Sequence, residues 1–150
     1  MTDVRVRAYA AADRDAVITL WNEVFGYPEP RNDPARVIDA KLARDGLARD
    51  ELLFVAVDGQ RVVGTLMVGY DGHRAWLYRA AVAEVARRRG VGRALVRHGE
   101  AALAALGCTK INLQLHAHNE AGVRFWQALG YVVEPRISMG KDTGARAQGV

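Results

Sequence analysis

The sequence predicts an α+β fold in which a mostly antiparallel sheet of six to seven strands packs with about four helices. The segments follow one another as strand, two helices, three strands, helix, strand, helix, strand. Tight turns join the three consecutive strands, which only antiparallel neighbours allow. A glycine-rich turn comes after the fourth strand, whereas a dinucleotide-binding fold carries it after the first.

Length and composition predict a single domain. The chain has 150 residues, half of them apolar, which is enough for one hydrophobic core. We assign residues 1–140 to this domain and expect 141–150, which are small and polar, to be a flexible tail.

The N-terminal segments predict a strand and two helices. Val4–Tyr9 alternates apolar and charged residues, as a half-buried strand does. Asp13–Phe25 carries an apolar stripe over four turns, with Asp13 as its cap. A second helix begins with Asp33 as cap and Pro34 in its first turn, and ends near Gly46.

The next segments predict a three-stranded meander. Leu52–Val57 and Val62–Tyr70 flank Asp58–Arg61, whose Asp-Gly pair is a hairpin signal. A second tight connection, Asp71–Arg74, leads into the strand Ala75–Val82. The three strands should therefore be antiparallel neighbours.

The segment 87–94 predicts an anion cradle. It joins the strand ending at Val82 to a helix that ends at Gly107. Amides at a helix N-terminus lack intrahelical partners, and glycines at 90 and 92 let an anion approach the backbone. An ordinary strand-to-helix turn with solvated arginines is the alternative. The arginines of the segment are Arg87, Arg88, Arg89 and Arg93.

The C-terminal part predicts further strands and a helix. Ile111–His116 alternates strictly, as a strand does, and Asn119–Leu129 is helical in pattern and closed by Gly130. Tyr131–Val133 is the last predicted strand, and Arg136–Met139 is a candidate to pair with it.

Charge and composition argue against several classes of protein. The net charge of +4 is spread along the chain, so we expect no nucleic-acid partner and keep a nucleic-acid binder only as a minor alternative. The sequence contains no apolar run of 18 residues and no signal-peptide pattern, which predicts a cytoplasmic protein without membrane contact. A lone Cys108 excludes an internal disulfide, and the histidines do not group into a metal site.

Two motifs resemble the GNAT superfamily of acyl-CoA-dependent N-acetyltransferases. Arg87–Gly92 matches the family pattern of Arg or Gln, two residues, Gly, one residue, then Gly or Ala. Asn119–Tyr131 is similar to the family's Asn, helix, aromatic pair and closing Gly-aromatic. The resemblance extends over residues 4 to 139. It implies an α/β/α arrangement whose central strands are splayed.

The resemblance also implies a co-substrate, acetyl-CoA, and the residues that bind it. Amides of residues 88–94 would hold the pyrophosphate, the pantetheine arm would pair with residues 80–82, and Asn119 would bond the arm, unless it is only a helix cap. The cofactor-binding residues implied are Ala81, Val82, Arg87, Arg88, Arg89, Gly90, Val91, Gly92, Arg93, Ala94, Asn119 and Phe125.

The implied activity is direct transfer of the acetyl group to a primary amine, of a small molecule or a protein, in a ternary complex. The amine must lose a proton before it attacks, and the N–H of Val82 is the candidate that stabilises the oxyanion. Trp126 stands where the family commonly has the tyrosine that protonates the thiolate, and Gln114 stands where the branch that acetylates ribosomal protein N-termini has a glutamate base. Neither side chain can act as an acid or a base. Tyr78 and His116 are the leading replacements.

Less favoured replacements are Tyr131 and Glu84. Each leading replacement has a structural alternative. Tyr78 would only pack as an aromatic residue of a strand, and His116 would only be the solvated end of a strand. Trp21, Phe25 and Tyr27 are candidates to line the acceptor cleft, with core packing as the alternative for the first two. For the whole chain, the alternative function is a catalytically weak CoA-binding or interaction module, and a homodimer is the assembly that we consider.

Overall fold

The computed structural model describes residues 3–26 and 30–144. It contains five strands and four α-helices within those ranges. In chain order these are β1 (Val4–Ala8), α1 (Arg14–Phe25), α2 (Pro34–Ala48), β2 (Leu53–Asp58), β3 (Arg61–Tyr70), β4 (Ala75–Val82), α3 (Val91–Ala105), β5 (Ile111–Asn112) and α4 (Glu120–Ala128).

The strands form one mixed sheet in the order β1-β2-β3-β4-β5. The first four are antiparallel neighbours, and β5 runs parallel to β4. The predicted α+β class and the predicted meander are confirmed. β5 pairs with β4 only through Ala75 and Trp76. Among the described residues no strand is assigned along the rest of that edge of β4, and the splay of the central strands stays a prediction.

The strand count was predicted too high for the described residues. The expected strand Ile111–His116 is reduced to Ile111–Asn112, and neither 131–133 nor 136–139 is assigned as a strand. Pro135, which has no N–H to donate, separates those two segments, and the N–H of Arg136 bonds locally to the carbonyl of Glu134 at 2.8 Å. Alternation of side chains predicted strands there without showing which backbone groups would pair.

The contacts divide the chain into two compact units, Met1–Gln114 and Leu115–Val150. The first holds the sheet with α1, α2 and α3, and the second holds α4. A single domain over 1–140 stays a prediction. Residues 141–144 carry no helix or strand, and the remainder of the expected tail, 145–150, lies outside the described residues.

The core of the first unit lies on both faces of the sheet, which β3 shows most directly. Its Thr65 side chain bonds to Trp21 of α1, while Gly64 and Leu66 face α3. Alternation along the strand places neighbouring residues on opposite faces, so β3 carries α1 on one side and α3 on the other. The largest fully buried side chains of this core include Trp21, Ile38, Leu66, Leu95 and Leu103.

Helix boundaries follow the predicted signals with two differences. The Asp33 carboxylate accepts a bond from the N–H of Arg36, which confirms the predicted cap of α2. Asp13 does not cap α1; its carboxylate binds the guanidinium of Arg7 at 2.7 Å. α2 continues past Gly46 to Ala48 because Arg49, at φ 59°, adopts the left-handed conformation that ends it.

Candidate active site

The predicted anion cradle lies between the end of β4 and α3. Arg88 and Gly90 have left-handed backbones, with φ of 63° and 78°, and they bend the chain into the start of α3 at Val91. No side chain caps this helix. The N–H of Ala94 makes an intrahelical bond to the carbonyl of Gly90 at 3.0 Å, so the preceding amides of the first turn are the donors that an anion can use.

The four arginines around the cradle divide into two pairs. Arg89 forms an ion pair with Asp58 at the end of β2 at 3.2 Å, and Arg87 donates to the carbonyl of Val82, also at 3.2 Å. Both therefore fasten the loop to the sheet. Arg88 and Arg93 are exposed, and their side chains form no ion pair with any described residue. They are the two guanidinium groups available to a bound anion.

Val82 presents its backbone to the open edge of β4. The N–H of Ala83 bonds to the carbonyl of Val63 at 2.8 Å. In an antiparallel pair, adjacent residues turn their N–H and C=O groups to opposite edges. The N–H of Val82 therefore points away from β3, toward the edge that no described strand covers, as required of the predicted oxyanion donor.

A bulge in β4 precedes this edge. Thr65 pairs with Ala81 and Met67 with Tyr78, so Leu66 alone lies opposite both Arg79 and Ala80. Arg79 has a left-handed φ of 49°. A bulge of this kind increases the local twist and turns the following residues relative to the preceding ones, and so it sets the direction in which Ala81 and Val82 present their amides.

Tyr78 lies on the face of the sheet that carries α1, opposite Met67. It is 47% exposed, and partial burial raises the pKa of its hydroxyl. The phenol is consequently protonated at neutral pH and acts as a hydrogen-bond donor. Glu84, a less favoured candidate, lies exposed in the 3₁₀ turn Glu84–Ala86 after β4.

The aromatic candidates for the acceptor cleft separate in the structure. Trp21 is fully buried, and its indole N–H donates to the hydroxyl of Thr65 at 2.8 Å, which makes it a core residue. Phe25 is 41% exposed at the end of α1. Tyr27 lies outside the described residues. The guanidinium of Arg79 lies over the rings of both Trp21 and Phe25.

Two residues whose contacts shape β4 beside Val82 were not singled out by sequence reasoning. Neither residue belongs to a motif: in the sequence, Thr65 is an ordinary threonine of a predicted strand, and Arg79 is a charged residue of the next one. A charged residue in the middle of an otherwise apolar strand was the available signal for Arg79.

The second unit holds the remaining candidates. The amide oxygen of Asn119 accepts from the N–H of Gly122 at 2.9 Å, so Asn119 does cap α4. A Cβ on Gly122 would lie 2.5 Å from the amide nitrogen of Asn119, and glycine is therefore what lets this cap form. His116 stacks on His118 with ring centroids 5.6 Å apart.

Trp126 belongs to an aromatic cluster of the same unit. Its ring packs edge-on against Phe125 and Tyr131, each at 5.2 Å between centroids. Trp126 is 7% exposed and Phe125 39%. The indole thus packs as a core residue, and the roles expected of Phe125, Asn119 and His116 at a cofactor or in proton transfer stay predictions.

No group of three or more His, Cys, Asp or Glu side chains that could hold a metal occurs in the part of the chain that the structure describes. Within residues 3–26 and 30–144, no helix has both the length and the apolar character needed to cross a lipid bilayer.

Comparisons with known proteins identify the family to which the sequence is similar. The model of the acetyltransferase (GNAT) family matches residues 14–131. An acetyltransferase of Pectobacterium atrosepticum is 37% identical over 138 residues, which are 92% of this chain and 94% of that protein.

Solved structures show the same fold at lower identity. Ard1 from Thermoplasma volcanium superposes with a TM-score of 0.73 at 23% identity, over 87% of this chain and 84% of that one. An aminoglycoside N-acetyltransferase, AAC(6')-Iy in complex with CoA, gives 0.74 at 16% identity over 95% and 96%. The matched residues include β4, the cradle and α4. The chain is therefore a member of the GNAT family of acetyltransferases.

Proposed function

We propose that this acetyltransferase moves an acetyl group from acetyl-CoA to the nitrogen of a primary amine while both are bound. The observation that carries the proposal is the open edge of β4 at Val82, which the loop 83–90 connects to an uncapped helix N-terminus. The aminoglycoside N-acetyltransferase with the same fold binds CoA, which supports this choice of donor.

The cradle suits a pyrophosphate. Donor amides at the start of α3 lack intrahelical partners, Gly90 has nothing within 4 Å of where a Cβ would stand, and Arg88 and Arg93 add charge. The extended arm would lie along the edge of β4 beside Ala81 and Val82, and it would form its hydrogen bonds with Val82, whose N–H faces that edge. Arg87 and Arg89, which were expected to bind the anion, act in this proposal by holding the loop.

Acetyl-CoA supplies an activated acyl group as a thioester. Transfer forms a bond between the amine nitrogen and the acyl carbon and breaks the carbon–sulfur bond. The nitrogen loses a proton to solvent, and the thiolate gains a proton from Tyr78, which solvent then reprotonates. The N–H of Val82 donates to the acyl oxygen as negative charge develops there. The hydroxyl of Tyr78, kept protonated by its raised pKa, donates the proton that the thiolate takes.

The amine's own proton goes to solvent in this proposal. A thiol with a pKa near 8.5 is a good leaving group, so a weak acid and a water relay are sufficient. His116 stays a candidate base on sequence grounds alone, and the roles of Asn119 and Phe125 at the pantetheine arm have the same standing. A cytoplasmic location and a homodimer stay predictions.

Calorimetric titration with acetyl-CoA, followed by a thiol-release assay, tests the proposal. The assay uses small amines, aminoglycosides and peptides with a free N-terminus. We expect micromolar binding and release of CoA thiol in proportion to at least one amine. Absence of binding at concentrations far above micromolar would contradict the donor assignment.

A second function is favoured by one observation. Trp126, which stands where relatives commonly have an acidic tyrosine, is packed into an aromatic cluster and cannot donate a proton as an acid. A module that binds CoA without turnover would show tight binding and no thiol release above background with any amine of the panel.

A further inference from the structure

The carbonyl of Val82, like its N–H, faces the open edge of β4. In an antiparallel strand the two polar backbone groups of one residue point to the same edge. The N–H of Ala83 bonds to the carbonyl of Val63 on the β3 side at 2.8 Å, and a Cβ on Gly64 would lie 3.1 Å from the carbonyl of Ala81. Ala81 and Ala83 therefore turn their polar groups toward β3, and Val82 turns its own toward the edge that no described strand covers.

An arginine of the following loop binds this carbonyl. The Nε–H of Arg87 donates to the oxygen of Val82 at 3.2 Å. An amide nitrogen of a paired strand would stand about 2.9 Å from the same oxygen, and such a strand would lie about 4.8 Å from β4. The guanidinium occupies part of that gap. Arg87 therefore makes the bond that an added strand would make at Val82.

This bond can open without unfolding the loop. The turn after β4 is held by its own backbone bonds, from the N–H of Ala86 to the carbonyl of Ala83 at 2.9 Å and from the N–H of Arg87 to that of Glu84 at 3.2 Å. Ala86 is fully buried, which fixes the turn against the core. The side chain of Arg87 is exposed, so the guanidinium can leave the edge while the backbone stays in place.

The ion pair of Arg89 differs from the bond of Arg87 in its place in the sheet. Arg89 binds the carboxylate of Asp58 at 3.2 Å. Asp58 ends β2, and β3 separates β2 from β4. A ligand that pairs along the open edge of β4 therefore competes with the bond of Arg87 and leaves the ion pair of Arg89 intact.

We propose that Arg87 is an exchangeable strap on the edge of β4: its guanidinium binds the carbonyl of Val82 until an amide N–H of the CoA arm takes its place. This rests on the proposed function, in which the arm lies along that edge. The arm of CoA contains amide groups and so carries the required donor. The strap makes binding of the arm compete with an internal bond, while Arg89 and Asp58 hold the loop in both states.

Two variants and two ligands test the strap. Arg87→Met keeps an unbranched side chain and removes the donor, and Arg89→Met, the matched control, removes the ion pair from the same loop. CoA carries both the arm and the pyrophosphate, whereas adenosine diphosphate carries the pyrophosphate alone. Calorimetric titration gives both dissociation constants. Their ratio isolates the arm, because a change in the cradle affects the two ligands alike.

We expect Arg87→Met to raise the affinity for CoA relative to that for adenosine diphosphate by about threefold or more, since the arm no longer displaces an internal hydrogen bond. Arg89→Met should weaken both ligands by the same factor and leave the ratio unchanged. An unchanged or lower ratio in Arg87→Met would overturn the proposal. That result would mean that Arg87 binds the pyrophosphate or only holds the loop.

The Nε–H group of Arg87 provides a direct second measurement. Its nuclear magnetic resonance signal is identified by its loss in Arg87→Met. In the unmodified protein, CoA should speed the exchange of this proton with water by about tenfold or more, because the hydrogen bond that protects it is broken. Adenosine diphosphate should leave the exchange unchanged. No response to CoA, or an equal response to both ligands, would also overturn the strap.

The outcome separates this proposal from the proposed function. Binding of CoA without thiol release from any amine would refute the proposed transfer, and the affinity ratio would still decide whether Arg87 is a strap. Thiol release together with an unchanged ratio would refute the strap alone. Absence of CoA binding would refute both.

Discussion

At the scale of single residues, the arginines around the cradle have different roles although they are adjacent in sequence. Arg87 and Arg89 bind groups of the sheet, and Arg88 and Arg93 remain exposed. Spacing alone cannot make this distinction, because it depends on which arginine finds a partner such as Asp58 in the folded chain.

Arg93→Ala should weaken CoA binding by about tenfold, since a charge-assisted hydrogen bond to a phosphate contributes more than about 1.4 kcal/mol. Arg97→Ala is the matched control. It lies one turn further along α3, where Arg97 pairs with Glu100 instead. Calorimetric titration of both variants is the measurement, and equal affinities would remove Arg93 from the cofactor site.

Tyr78→Phe keeps the ring and removes only the hydroxyl, so it separates a chemical role from packing. We expect kcat to fall about tenfold or more while CoA affinity is unchanged. Because the pKa of Tyr78 is raised by burial, the hydroxyl is protonated at neutral pH, and kcat of the unmodified enzyme should show no loss from this group between about pH 7 and 9. A fully active Phe variant would identify Tyr78 as a packed strand aromatic.

At the scale of elements, the site depends on how closely α3 approaches the sheet. A Cβ on Gly64 would lie 2.9 Å from Leu95 and 3.1 Å from Val91, the first residue of α3. A Cβ on Gly99 would lie 2.8 Å from Leu66, two turns further along the helix. Both glycines permit close packing, but only Gly64 lies beneath the cradle.

Gly64→Ala and Gly99→Ala form a matched pair. Each should lower the free energy of unfolding by about 1–3 kcal/mol, because the added methyl overpacks the contact with α3. Only Gly64→Ala should also weaken CoA binding, by about fivefold or more, since it displaces the helix N-terminus. Chemical denaturation and CoA titration measure the two effects, and an equal change in affinity for both variants would contradict this explanation.

At the scale of the whole molecule, a partly buried ion pair fastens β1 to the turn that precedes α1. The guanidinium of Arg7, on β1, donates to both carboxylate oxygens of Asp13, at 2.7 and 3.0 Å. The same carboxylate also accepts a hydrogen bond from the N–H of Ala10 at 2.8 Å. The hydrogen bond from Arg7 lowers the pKa of Asp13 below its usual 3.8. A carboxylate of this kind stabilises the fold only while it is ionised.

Asp13→Asn should therefore cost about 2 kcal/mol of unfolding free energy at pH 7. The cost should decrease as pH falls below 3.8, because the unfolded chain then takes up a proton at Asp13 that the ion-paired carboxylate of the folded protein binds only at lower pH. The sign follows from a lower pKa in the folded state: the contribution is complete above the unfolded value and is lost on acidification. Asp39→Asn, at an exposed pair with Arg14, should change stability little at either pH. Urea denaturation at pH 7 and pH 3 provides the comparison.

Much of the element order was predictable because it depends on local chemistry. The Asp-Gly hairpin between β2 and β3, the Asp33–Pro34 start of α2 and the glycine after α3 each act over a few residues and were confirmed. Where competing partners exist, local signals failed. Asp13 binds Arg7 instead of capping α1, and Gly46 lies inside α2 rather than at its end.

The amino-acid sequence by itself determined the α+β class, the three-stranded meander and the position of the glycine-containing turn at residues 87–94, because turns, caps and alternation depend on neighbouring residues. Only the tertiary structure decided that the sheet has five strands in the described residues, that β4 bulges at Arg79, and which arginines stay exposed. These features depend on backbone pairing and on contacts such as Trp21–Thr65, 44 positions apart, which no local pattern records.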